Sequence, residues 1–252
     1  MKRDEGDVFQ DFRDSFSKLE GHFHVLEQRV PVELQMAYFK RSELMRRELP
    51  HHSLTDEESE SCYAELLQED VMVDQKMRLL IRLAISRSIK AYRLLQEYTQ
   101  SPDPAVANWS YMALMELRIS LESEMSDEKQ IFISTGLGGK EEKLRFYLLL
   151  LSMNNKPLEP YQRKTIEREF AYYLPKADGE IERIFIGEQY VEIVFLIPVK
   201  TDIKAVIDEI ITECNQYGGF LSANFTITNV RELSQKDIDE LIAKNGDSKT
   251  GD

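Results

Sequence analysis

LRFYLLLLS, residues 144–152, and YVEIVFLIP, residues 190–198, decide the fold of this chain. Successive side chains of an extended backbone point to opposite faces. The first segment therefore sets Phe146, Leu148 and Leu150 on one face and Tyr147, Leu149 and Leu151 on the other. Both faces are apolar and both require cover, since three such side chains left in water forgo roughly 1.5 to 3 kcal/mol each. Between the two segments, Ile166, Phe170 and Leu174 recur at helical spacing over 160–174. A further strand at 181–187 lies so close to 190–197 that only a hairpin can join them.

Beyond the hairpin, Ile203, Val206, Ile207, Ile210, Ile211 and Cys214 form the clearest amphipathic stripe in the chain, over 202–217, with Gly218 and Gly219 ending it. A strand over 224–230 alternates Phe225 and Ile227, and Ser234 with Asp237 caps a last short helix. Strand, helix, strand, strand, helix, strand is the split βαβ order, and right-handed crossovers place its first and third strands at the sheet centre. Residues 144–230 thus resemble a ferredoxin-like domain, with an extra strand at 131–134 before it. Two helices cover only one face of such a sheet. Residues 1–126 or a symmetry-related subunit are therefore expected to cover Tyr147, Leu149 and Leu151, and a fragment 128–244 is expected to self-associate.

The N-terminal half reads as helical. Phe9, Phe12, Phe16, Leu19, Phe23, Leu26 and Val30 recur at steps of three and four. A second helix spans 32–49, with Leu34, Tyr38 and Met45 inward. Thr55 and Glu58 form a capping box for a third. Residues 77–98 form a helical hairpin, and in SPDPAVANWSYMALMEL Asp103 is placed as a cap, Pro104 at the first helical position, and Val106, Trp109, Ala113 and Leu117 on one face. LLQEYTQ, SPDPAV and NWSYMALMEL together resemble successive HEAT-repeat helices, as in bacterial HEAT-repeat proteins. That resemblance implies a curved helical scaffold that binds other proteins, and no reaction.

The whole is read as an α+β protein: a HEAT-like helical domain over 1–127, a ferredoxin-like domain over 128–244, and a disordered tail over 245–252. With 252 residues, 42% hydrophobic and 10% aromatic, the chain has the apolar content for two cores. A net charge of -13 argues against nucleic-acid binding, which needs a positive field to displace counterions. Cys62 and Cys214 lack metal or disulfide spacing, which fits a reducing cytoplasm. No apolar run is long enough to read as an export signal or a membrane span.

No residue pattern nominates a catalytic group, a cofactor or a metal. The histidines, His22, His24, His51 and His52, show no ligand spacing on a helix. TGLGGK, 135–140, departs from a phosphate loop in spacing, and Glu141 stands where Ser or Thr is needed. It reads as a flexible connection in which Lys140 and Lys143 offer a small anion site. Arg78, Arg82, Arg87, Lys90 and Arg93 form a basic cluster suited to an acidic partner segment or to the chain's own carboxylates. The leading functional reading is a non-enzymatic protein-interaction scaffold, with a homodimer as an option. Its alternative is a small-molecule sensor of ACT type, which places ligand donors at Asn154 and Asn155 in MNNKPL. RNA binding through the sheet ranks third, because neither central strand carries an RNP1 pattern.

Overall fold

The computed structural model describes residues 22–49, 53–126 and 130–247. Contacts divide the chain after Ser134, so one compact unit lies within 20–134 and another within 135–252. The expected boundary at 127 falls earlier because it ignores a strand pairing. His22–Val25 (β1) and Gln130–Ile133 (β2) form a two-stranded parallel ladder, with Phe23 opposite Ile131 and Val25 opposite Ile133. Parallel strands require a long crossover, and here five helices supply it: α1 (Val32–Glu48), α2 (Asp56–Leu66), α3 (Val73–Ala84), α4 (Ile89–Tyr98) and α5 (Ala107–Met125). The helix expected through 30 is thus corrected at 22–25, and residues 9–21 lie outside the described residues. Likewise 130–133 belongs to the first unit and is not an extra strand of the second.

Local signals set the helix ends. The Thr55 hydroxyl accepts from the Glu58 N–H at 3.2 Å, and the Glu58 carboxylate accepts from the Thr55 N–H at 2.8 Å. Arg87 turns the α3–α4 hairpin at a φ of 55°. Asp103, in contrast, does not cap α5. Its carboxylate accepts from the Ala105 N–H at 2.9 Å and pairs with Lys76 at 2.7 Å, and the helix begins only at Ala107. The core gathers Tyr38, Leu66, Leu80, Leu95, Trp109 and Leu117.

One carboxylate organises that core's polar edge. Glu116 accepts from the Tyr38 hydroxyl at 2.6 Å, from the Ser42 hydroxyl at 2.6 Å, and from Arg46 Nε and Nη2 at 3.1 and 2.9 Å. Burial first, and then the Glu116 charge, hold the Tyr38 phenol well above its usual range. Removing the acceptor strands two buried hydroxyls and a cation. Glu116→Ala should therefore cost roughly 3 kcal/mol in a urea melt of the intact chain, and a loss under about 1 kcal/mol would show that the network is incidental.

The second unit is an α+β arrangement on an antiparallel sheet. Its strands are β3 (Gly139–Lys140), β4 (Lys143–Ser152), β5 (Glu180–Ile186), β6 (Tyr190–Pro198) and β7 (Leu221–Thr228), with helices α6 (Pro160–Lys176), α7 (Ile203–Asn215) and α8 (Gln235–Asp247). β4 pairs with β6 on one side and with β7 on the other, and β5 lies outside β6. In β5 the register shifts between Ile181 and Arg183. Glu182 and Arg183 then engage Arg145 and Glu232 respectively, each at 2.5 Å.

The loop 135–138 is buried, which corrects its reading as a flexible connection. The Leu137 N–H donates to Asn229 O at 3.0 Å, and Arg145 Nη1 donates to Leu137 O at 2.8 Å. A Cβ on Gly136 would sit 1.8 Å from Val230 O, so the close approach itself demands glycine.

Both faces of β4 are covered within this unit. Phe146, Leu148 and Leu150 are buried on the face served by α6 and α7, which pack on each other and bury Ile166, Phe170, Ile207 and Ile210. On the other face Tyr147, Leu149 and Val194 form a second cluster with Leu137 and Ile238, flanked by Leu233, Leu241 and Ile242. The cover is α8. The expectation that residues 1–126 or a second subunit would supply it is corrected: Ile238, Leu241 and Ile242 recur at helical spacing and present an apolar edge to the strand. Two asparagines clasp the helix, for Asn155 Nδ2 donates to Ile242 O at 2.9 Å and Asn245 Nδ2 donates to Asn155 Oδ1 at 2.9 Å. Ile238→Ala should lower the stability of this unit by roughly 2 to 4 kcal/mol. A fragment of residues 135–247 should run as a soluble monomer on size exclusion, and an aggregated fragment would refute α8 as a sufficient cover.

Candidate functional site

The outer face of α6 leaves a row of aromatic and cationic side chains in solvent. Tyr161, Arg168, Tyr172 and Lys176 fall within about 80° of arc and run along roughly 22 Å of helix. Ile166, Phe170 and Leu174 turn the opposite face into the core. Tyr161 and Tyr172 are each 55% exposed, and Tyr217, just beyond α7, is 53% exposed. The Arg168 guanidinium lies 5.3 Å from the Tyr217 ring centroid. Lys176 Nζ lies 3.7 Å from the Tyr172 ring and 4.9 Å from the Tyr173 ring. The stripe therefore alternates aromatic planes with cations.

The two cations stay charged. Hydrogen bonding to Glu169, at 2.9 Å from Nε and 2.6 Å from Nη2, raises the Arg168 pKa, with the Glu169 charge second. Contact with the Tyr172 hydroxyl is the main cause that raises Lys176. Burial, and then Glu213 and Glu209, push up the Tyr173 phenol.

A pocket of about 420 Å³ adjoins this stripe. Its wall comes from the turn after β4, where Asn154 sits at a φ of 59°, from the start of α6, and from the Gly218–Gly219 turn at φ of 130° and 58°. Met153, Pro157, Leu158 and Phe220 give it apolar surface, and Asn154, Lys156 and Glu159 give it polar groups. The pocket and the stripe meet at Tyr161: a Cβ on Gly218 would lie 3.8 Å from its hydroxyl, which also accepts from Gln162 Nε2 at 3.2 Å.

The residues singled out from sequence are dispersed. Arg78 pairs with Asp74 at 3.1 Å, Arg87 with Glu124 at 2.9 Å, and Lys90 with Glu60. Arg82 Nε is buried and has no hydrogen-bond partner among the described residues, and Arg93 is exposed on α4. Lys143 pairs with Asp178 at 3.0 Å, and Lys140 is exposed on β3. Asn155 is spent on the α8 clasp, so Asn154 alone of the four ligand candidates lines the pocket. His24 Nε2 lies 2.6 Å from Gln130 Oε1 and 2.9 Å from Glu122 Oε2. Among the described residues, no group of three or more His, Cys, Asp or Glu is placed to hold a metal, and no helix is long and apolar enough to cross a membrane.

No protein-family model matches the chain, and no curated protein matches it in sequence. Among solved structures, the chain is similar to a protein described as a transposase of Deinococcus radiodurans R1, with 13% identity and a TM-score of 0.37, over 42% of this chain and 94% of the other. It is also similar to a REP-associated tyrosine transposase bound to a REP hairpin, with 13% identity and a TM-score of 0.32, over 47% of this chain and 68% of the other. These neighbours are transposases and not helical-repeat proteins. The HEAT resemblance is withdrawn on the fold itself, because its helices form the crossover between the paired strands β1 and β2, and the protein-binding scaffold goes with it. The acidic-segment partner is withdrawn because Arg78, Arg87 and Lys90 pair with the chain's own carboxylates, and the ACT-type sensor because Asn155 is taken by α8. The inference that nucleic acid is an improbable partner is withdrawn as well. It rested on net charge, which averages over the whole surface and is silent about one helix face.

Neither thiol opens onto this surface, since both are buried. Burial raises the Cys62 thiol and pushes Cys214 up to about 12. Ellman's reagent at about pH 8 should modify neither until denaturant unfolds the chain, since the thiolate is the reactive form. Prompt reaction of Cys214 would mean that the α7 face opens in the native state.

Proposed function

We propose that the second unit is a ferredoxin-like module that binds single-stranded nucleic acid along the outer face of α6. The ferredoxin-like reading is supported by the strand order β7–β4–β6–β5, in which one helix follows β4 and another follows β6. The observation that carries the function is the stripe of Tyr161, Arg168, Tyr172 and Lys176, joined by Tyr217. Exposed tyrosines offer faces on which unpaired bases stack, and cations between them meet the phosphates of the same strand. A duplex hides its base faces and gains nothing from such planes. The charge of -13 opposes capture from a distance and the stripe offers only two cations, so the affinity is modest and falls gently as salt rises.

Fluorescence anisotropy with a short labelled single strand at low salt tests this. Arg168→Ala and Tyr172→Ala should each weaken binding by roughly five- to tenfold, the usual worth of one stacked base or one phosphate contact. Arg78→Ala in α3 should leave it unchanged, and a duplex of the same sequence should bind more weakly. Failure of the unaltered chain to bind any single strand at low salt would end the proposal.

A further inference from the structure

We propose that the pocket at the head of the stripe seats the terminal nucleotide of the bound strand; this rests on the strand-binding reading above and assigns the part of the ligand that the pocket takes. Its volume of about 420 Å³ falls in the range of small-ligand sites. The stripe leads into it, because the Tyr161 hydroxyl stands beside Gly218 at the pocket wall. A strand stacked on Tyr172 and Tyr161 and continued along α6 arrives at this opening.

The lining has the three chemistries a nucleotide needs. Met153, Leu158 and Phe220 offer apolar surface to a base. Lys156 offers a cation to a phosphate, and neither its ammonium nor the Asn154 amide makes a hydrogen bond among the described residues. The Asn154 amide presents both a donor and an acceptor to a base edge. Glu159 brings a carboxylate to the same wall, which favours bases that carry an exocyclic amino group over thymine or uracil. Opposite charges three residues apart thus read the two ends of one nucleotide.

The experiment compares a labelled linear single strand with its circularised form, which has the same bases and no end. The intact chain should bind the linear strand roughly tenfold tighter, the worth of one stacked and phosphate-bound nucleotide. Lys156→Ala should erase that advantage and leave circular binding unchanged. Gly219→Asn should do the same: asparagine tolerates a φ of 58°, and a Cβ there meets nothing within 4 Å, so the side chain extends into open space at the pocket without disturbing the fold. Equal binding of linear and circular strands, both weakened by Tyr172→Ala, would overturn the pocket assignment and leave the stripe standing. Displacement of the linear strand's advantage by a free mononucleotide at matched concentration would make the pocket a free-nucleotide site and overturn the strand-end assignment. Absence of binding to either strand would remove the strand-binding reading and the pocket assignment together.

Discussion

Strand β4 is apolar on both faces, and the second unit is organised around that fact. A strand in this state cannot lie at an edge or leave a face to water. Two neighbours complete its ladders, β6 along nearly its whole length and β7 over its second half. Two helices cover one face and α8 the other, so a chain segment reached only after every strand is complete closes the core. The 3₁₀ turn after β4 serves this closure too. Asn154 and Asn155 adopt positive φ there, and Asn155 then faces α8 with its amide. Asparagine tolerates that backbone better than most residues, and its amide supplies the clasp.

What was readable beforehand follows a rule of range. The period-two pattern at Phe146 to Leu151 and the 3.6-residue pattern at Ile203 to Cys214 depend on neighbours in sequence, and both elements lie where the patterns put them. The Thr55–Glu58 box is equally local. The β1–β2 pairing is not. Phe23, Leu26 and Val30 fit a helical period by spacing alone, and β1 becomes a strand because Ile131 and Ile133 lie more than a hundred residues away. The α8 cover failed to be read for the same reason: its apolar edge was visible, but the face that it meets is set by tertiary packing.

The candidate surface was missed for a different cause. Helical periodicity marks what goes inside α6, and the complementary positions, Tyr161, Arg168, Tyr172 and Lys176, carry the same period with the opposite phase. Tyr217 could not be added to them, since it reaches Arg168 from the turn after α7. The basic cluster in α3 and α4 misled in the converse way. Its like charges were close in sequence, while its partners Glu60 and Glu124 come from α2 and α5. Charges gather meaning from their cross-helix neighbours, which no single-helix pattern contains.

The register shift in β5 has a consequence for the molecule in a crowded solution. Among the described residues β5 is the outer strand of the sheet, with an exposed Phe185, and its far side has a row of N–H and C=O groups that no other described strand pairs. Such a margin is a template for another chain's strand, and the hazard is intermolecular sheet growth. The shift between Ile181 and Arg183 breaks the regular spacing of the strand, and Glu182 and Arg183 carry charges on it that are bridged inward across the sheet to Arg145 and Glu232. An incoming strand would have to give up its own regular pairing to match the kink and would meet charged positions along it. The irregularity that looks like a defect in the ladder works against growth of the sheet.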